Sequence, residues 1–220
     1  MKKLFLFPSG LIIAFAMLFI SWSEDTPKYE AIDLGLPSGI KWASFNVGAT
    51  KPEEYGGYYA WGETEEKEDY GWETYKWCNG SENIMTKYCI NSRYGTVDNK
   101  TVLDPEDDVA HVKWGGDWRM PTAEEQEELI KNCTWEWTAL NGVNGYRVTG
   151  PNGNSIFLPV AGGRDGTDVR LRDHRGYYWS SSLDGDLGNC VRVLSFYDCY
   201  YTERYSLLRF GGLSVRPVSK

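Results

Sequence analysis

Tyr177-Tyr178-Trp179-Ser180-Ser181-Ser182 and, further on, Ser214-Val215-Arg216-Pro217-Val218 frame the last quarter of the chain. An aromatic run passes into small hydroxyls at one end, and a short apolar run with one Arg and one Pro closes the other. Between and just before them the palette changes. Residues 24–163 hold nine Lys and three Arg, whereas Arg164 to Leu213 hold seven Arg and no Lys, Gln or Met. Tyr, Arg, Asp, Gly and Leu fill the space. Rigid aromatics supply contact area and Arg supplies planar charged contacts, as on a binding surface. The same residues also suit a Tyr-rich sheet face with no ligand, because strands favour Tyr.

Working outward, 220 residues with 41% apolar and 25% charged content suit one globular domain with a short leader. Net charge is −8, and −10 once Lys2 and Lys3 are set aside with the leader. An acidic chain without a basic run argues against nucleic-acid binding, which needs a positive face against phosphates. Residues 1–23 read as a secretory signal: two lysines, an apolar run from Leu4 to Ile20 broken at Pro8-Ser9-Gly10, and small Ser21 and Ser23 before Glu24. An uncleaved helix is the alternative, and would be the chain's one link to a membrane. Residues 24–220 are then a single exported domain, placed outside the cell, at its surface or in the periplasm.

An exported domain permits disulfides. Cys78 with Cys89 and Cys190 with Cys199 are expected local pairs, Cys133 being left over; buried free thiols are the alternative. Spacing does not settle connectivity.

Strands are expected around Ile40–Phe45, at Tyr55–Gly62, and at Trp135–Trp137. Residues 70–103 show no period and read as loop. Asp104-Pro105-Glu106-Asp107-Asp108 opens a short helix, with Asp104 as cap and Pro105 at the first position, that Gly115-Gly116 ends. Calcium binding by its four carboxylates is the rival reading, disfavoured because the EF-hand pattern is absent; no metal site and no cofactor is predicted. Thr122 and Glu125 form a capping box at the start of a second helix that Asn132 can end. Tyr146–Thr149 and Ser155–Leu158 flank Pro151-Asn152-Gly153-Asn154, a hairpin signal. Strands at Tyr177–Ser181, Cys190–Tyr197 and Leu213–Val218 follow. Leu194 and Phe196 face one side; Val193, Ser195 and Tyr197 face the other.

Three motifs in order, Trp118-Arg119-Met120-Pro121-Thr122-x-x-Glu125, Tyr178-Trp179-Ser180-Ser181-Ser182 and Ser214-Val215-Arg216-Pro217-Val218, together resemble the Fibrobacter succinogenes major paralogous domain. Asp33-Leu34-Gly35-Leu36-Pro37-Ser38-Gly39-x-x-Trp42-Ala43 and Tyr55-Gly56-Gly57-Tyr58-Tyr59-Ala60-Trp61-Gly62-Glu63 resemble the version common in secreted Bacteroides proteins. The likeness covers nearly all of residues 29–218. It implies an α+β, C-type-lectin-like fold: two helices, a small twisted antiparallel sheet and long loops. Some proteins of this fold are targets of diversity-generating retroelements, and their variable residues lie on the terminal sheet and its loops. Residues 168–175 and 190–210 fit the amino acids such a process yields, Glu203 excepted; on this reading Cys190 and Cys199 are variable positions and not a staple.

Departures bear on function. The tripeptides that calcium-dependent lectins use for sugars (Glu-Pro-Asn, Gln-Pro-Asp, Trp-Asn-Asp) are absent. Formylglycine-generating oxidases share the general fold but need a closely placed Cys pair, which Cys190 and Cys199 do not form. Only His111 and His174 are available as bases, and Ser180–Ser182 lack a G-x-S-x-G turn. Nothing singles out a carboxylate pair for glycan cleavage. The expectation is therefore a non-catalytic ligand-binding protein. Its contacts would be Arg170, Arg172, His174, Arg192, Tyr197, Tyr200, Tyr201, Arg204, Tyr205, Arg209 and Phe210. Its partner would be a protein or glycan at a cell surface. The alternative is a structural subunit of an envelope assembly.

Overall fold

A computed structural model describes residues 29–198 and 200–220, apart from the side chains of Thr202, Glu203 and Arg204. The expected leader and Cys199 lie outside the described residues. The elements in chain order are β1 (Ala31–Asp33), β2 (Lys41–Ala43), α1 (Val109–Trp114), α2 (Ala123–Asn132), β3 (Thr134–Leu140), β4 (Val143–Thr149), β5 (Ser155–Pro159), β6 (Gly163–Asp165), β7 (Asp168–Arg170), β8 (Gly176–Leu183), β9 (Cys190–Tyr197), β10 (Tyr200–Leu208) and β11 (Val218–Ser219). Two single 3-10 turns, Trp72–Thr74 and Pro105–Asp107, stand in the long stretch between β2 and α1. The fold is α+β, mostly antiparallel sheet with two α-helices. None of the described helices is long and apolar enough to cross a membrane.

Local chemistry explains most elements. Thr122 accepts from the Glu125 amide at 3.3 Å while Glu125 accepts from the Thr122 amide at 2.8 Å, so the expected capping box starts α2. Asn141 and Gly142, both at positive φ, turn β3 into β4, and Gly153 helps turn β4 into β5. The acidic run opens a 3-10 turn with Asp104 at its N-cap position but making no side-chain cap bond; Asp108 instead caps α1, accepting from the Ala110 and His111 amides. Gly115 ends that helix at positive φ.

Sheet β10-β9-β8 is packed on both faces, with β9 in the middle and β10 and β8 at its edges. One of its faces, carrying Tyr177, Trp179, Val191 and Val193, packs into a core with Trp61, Met120, Leu213 and Val215. Its other face, carrying Tyr178, Leu194 and Phe196, packs into a second core with Trp42, Leu129, Tyr146 and Leu158. That division is the alternation expected for β9. Ser180–Ser182 lie on β8 and are buried; Ser181 donates its amide to the Pro121 carbonyl, and Ser182 Oγ accepts from the Ala123 amide. The serine run thus clamps the start of α2, which explains why the Trp118–Thr122 and Tyr178–Ser182 motifs occur together.

Several expectations change. Tyr55–Gly62 is not a strand: only Tyr59 bridges, to Leu213. Leu213–Val218 is not one strand either. It threads past Tyr59, Tyr178, Val47 and Ala43 before Val218 joins β2, and Pro217 lacks the N–H a regular ladder needs. β10 was not foreseen, because its residues lack a clean two-residue period; a bulge between Thr202 and Tyr205 breaks it. Cys78, Cys89, Cys133 and Cys190 are free thiols, so the expected Cys78–Cys89 pair does not form and the alternative of buried thiols holds there; the expected Cys190–Cys199 pair lies outside the described residues. Cys78 and Cys89 instead turn their thiols to the carbonyls of Trp72 and Asn91.

Arg216, in the terminal motif, is buried. It donates to Asn46 Oδ1 at 2.8 Å and to the carbonyls of Ala43 and Phe157 at 3.1 and 2.9 Å. It ties the last segment to the end of β2, the loop after it and β5, and burial pushes its pKa down to about 10.

Candidate functional site

The exposed aromatics of the tail gather on one end of the central sheet. Tyr197 closes β9 and Tyr200 opens β10, paired across the hairpin with ring centroids 5.2 Å apart. Directly paired residues share a face, so both rings leave from the Val193 side. The Arg175 guanidinium lies 4.8 Å from the Tyr197 ring centre, a cation–π distance, and donates to the Tyr177 hydroxyl at 3.3 Å. The Tyr177 ring runs nearly parallel to that of Tyr205, 6.1 Å away. Tyr177 is buried at 7% exposure, whereas Tyr197, Tyr200 and Tyr205 are 37%, 47% and 40% exposed. The result is a ridge of tyrosines with one arginine set into it.

Tyr177 is also a wall of a groove of about 240 Å³ between the β6–β7 hairpin and the end of β10. Leu171, Leu207, Leu208, Phe210 and Leu213 supply the other apolar walls. Phe210 is half-buried, edge-on to Trp72 at 4.9 Å, and Leu171 holds φ of +58°, unusual for a branched residue.

Beside the groove runs the loop 171–175. Arg172 donates to the Tyr58 hydroxyl at 3.2 and 3.3 Å and lies over the Tyr55 ring at 5.4 Å. Asp173 accepts from the Tyr55 hydroxyl. Burial first, and then that carboxylate, push the Tyr55 phenol well above its usual range. His174 is exposed on the same loop. Arg170 is exposed too, and reaches Asp165 at 3.4 Å and Asp168 at 3.7 Å within its own hairpin.

The structure therefore brings Arg170, Arg172, His174, Tyr197, Tyr200, Tyr205 and Phe210 to the ridge, groove and flanking loop. It does not bring all the expected residues together. Tyr201 lies on the opposite face, stacked on Trp135 at 4.7 Å. Arg192 alternates with Val191 and Val193 and leaves from that face as well, half-buried. The Arg204 side chain lies outside the described residues. Arg209 is a plain correction: it is fully buried, and no ligand at the surface meets it. Its guanidinium donates to the Tyr75 hydroxyl and to the carbonyls of Tyr88 and Lys87, with the Trp61 ring 5.1 Å away. Val191, Val193, Leu194 and Phe196 are core residues too, so free variation across 190–210 would break the fold at those positions.

Two participants were missed in the sequence. Arg175 was visible only as one more arginine; the signal lay in its place just before Gly176, which starts β8. The leucines of the groove carry no local signal, because they converge from separate hairpins.

The acidic run is accounted for without a metal. Asp104, Glu106 and Asp107 do converge, but the Lys87 ammonium sits among them, 2.6 Å from Asp104, 2.6 Å from Asp107 and 3.8 Å from Glu106. No protein-family model, curated protein or solved structure matches this chain.

Proposed function

We propose that this is an exported, non-catalytic binding protein whose ligand seats on the Tyr197–Tyr200–Tyr205 ridge and the groove beside it. The observation that carries the reading is the ridge itself: three half-exposed tyrosines held on a sheet whose two faces are otherwise packed into cores. Tyr rings at fixed positions give contact area at small entropic cost, and Arg172 and Arg175 add directional donors. His111 Nδ1 faces the Trp118 carbonyl at 3.3 Å, and Ser180–Ser182 are buried against backbone, so neither the first histidine nor the serine run offers a free catalytic group.

The fold reading that goes with this is C-type-lectin-like. Its support is the sheet β1-β2-β11, in which the chain's last strand pairs with β2 beside the first, together with two helices and a long loop-rich stretch between β2 and α1. Export rests on the leader-like residues 1–23 alone. The retroelement reading now applies to exposed positions only, and a template copy of the tail beside a reverse transcriptase gene would support it.

The test is an array of surface proteins and glycans probed with the purified protein and with the triple variant Tyr197→Ala, Tyr200→Ala, Tyr205→Ala. The reading expects at least one specific partner, lost in a variant that keeps its circular dichroism spectrum. One observation favours a second reading, a subunit of an assembly: β10 is an outer strand with exposed Tyr200, Tyr205 and Leu208, open to pairing with another strand. Light scattering separates the two, since an assembly subunit self-associates through that edge and a soluble binder stays monomeric.

A further inference from the structure

Resting on the binding-face reading above, we infer that the ligand is a protein segment presenting a carboxylate close to one large apolar side chain. Two features meet at Tyr177 to support this: an arginine with no acid partner among the described residues, and a groove whose exposed surface is largely apolar.

The charge comes first. Arg119, Arg147 and Arg170 each reach a carboxylate, and so do most of the lysines. Among the described residues Arg175 has only the Tyr177 hydroxyl and the Tyr197 ring. Arg172 has only the Tyr58 hydroxyl and the rings of Tyr55 and Tyr58. The loop's one carboxylate, Asp173, is taken up with Tyr55. In a chain of net charge −8 this loop is a local positive exception. A guanidinium stacked on tyrosine keeps spare N–H donors in a planar fork, which fits a carboxylate two bonds at a time.

The groove decides the rest of the ligand. At about 240 Å³ it is smaller than the roughly 300–1,000 Å³ of a small-molecule pocket, and suits one side chain. Leu171, Leu207, Leu208, Phe210, Leu213 and Tyr177 form its apolar walls, with Arg164, Asp165 and Arg170 at the β6–β7 side. Most of the surface it offers is apolar, which favours a Leu, Met or Phe side chain over the hydroxyls of a sugar. Tyr177 lines the groove and its hydroxyl accepts from Arg175, so the acid and the apolar group lie within a few residues of one another on the partner.

A phage-displayed random dodecapeptide library, selected in parallel on the protein and on its Arg175→Ala variant, tests this. The expected result is enrichment of Asp or Glu within three positions of a large apolar residue on the protein, with the acidic preference gone on the variant. A synthetic enriched peptide, followed by fluorescence anisotropy, should bind at least tenfold more weakly to Arg175→Ala and to the groove variant Leu208→Glu. Its Glu→Gln form should show a similar loss. Enriched peptides without acids, or affinity indifferent to Arg175→Ala, overturn the inference and leave the binding face standing. So does binding to a glycan array with no peptide enrichment. Failure of peptides and glycans alike, on protein of native circular dichroism, removes the inference and the binding face together.

Discussion

Arg209 donates from Nε to the Tyr75 hydroxyl at 2.8 Å, and neither side chain reaches solvent. The remaining nitrogens donate to the carbonyls of Tyr88 at 2.9 Å and Lys87 at 3.0 Å, while the Tyr75 hydroxyl itself donates to the Trp61 carbonyl at 2.8 Å. One arginine therefore gathers three stretches of the long loop region onto the end of β10.

Removing that pin should be felt as lost stability. Arg209→Ala leaves a cavity and orphans buried carbonyls, so a loss of about 3 kcal/mol or more is expected. Arg209→Lys should also destabilise, because an ammonium lacks the planar fork. Urea unfolding midpoints check this; an Arg209→Ala protein as stable as the parent would mean the guanidinium is not structural.

Acid should weaken the fold through the Lys87 cluster. Lys100 and Lys87 hold the Asp104 carboxyl below its usual range. Burial opposes ionisation of Asp107, but Lys87, Tyr88 and Lys76 outweigh it and its pKa is lowered too. A carboxylate depressed in the folded state adds stability above its unfolded pKa of about 4, and that stability drains away as pH falls through the folded value. Lys87→Met leaves the buried Asp107 carboxylate with only Tyr88 and Lys76, and should cost about 2 kcal/mol at pH 7. The gap between parent and variant should begin to narrow as pH falls below about 4 and go on narrowing through the lowered folded values; a gap independent of pH would contradict the assignment.

Gly176 is a close-approach glycine. A Cβ there would fall 2.1 Å from the Phe196 ring, so Gly176→Ala must displace a core aromatic. About 2 kcal/mol of destabilisation is expected. Phe196→Leu in the same chain should recover part of it, seen as a non-additive double-mutant cycle in urea midpoints.

The thiols should behave as buried, reduced groups. Cys78 and Cys89 are core residues, and burial pushes the Cys133 thiol up to about 11. Thiol labelling followed by peptide mapping should find all three slow to react until the chain unfolds. Thermal midpoints with and without reductant should agree. A Cys78–Cys89 disulfide peptide from the untreated protein would show the packing there to be different.

Much of the framework was legible because its causes are local. The capping box of Thr122 and Glu125 is settled within one turn, the Asn152-Gly153 turn within a few residues, and the two faces of β9 by strict alternation. The change from Lys to Arg and Tyr was legible too, and drew attention to the tail. What each of those residues does was decided elsewhere. Arg209 and Arg172 are the same amino acid in the same stretch, yet one is core and the other is surface. The difference is made by carbonyls and rings more than a hundred residues away. Likewise the tail tyrosines part company at the pleat, Tyr201 going to Trp135 and Tyr197 to Arg175. Burial, and the meeting of separate hairpins around a groove, depend on long-range packing, which no local pattern encodes.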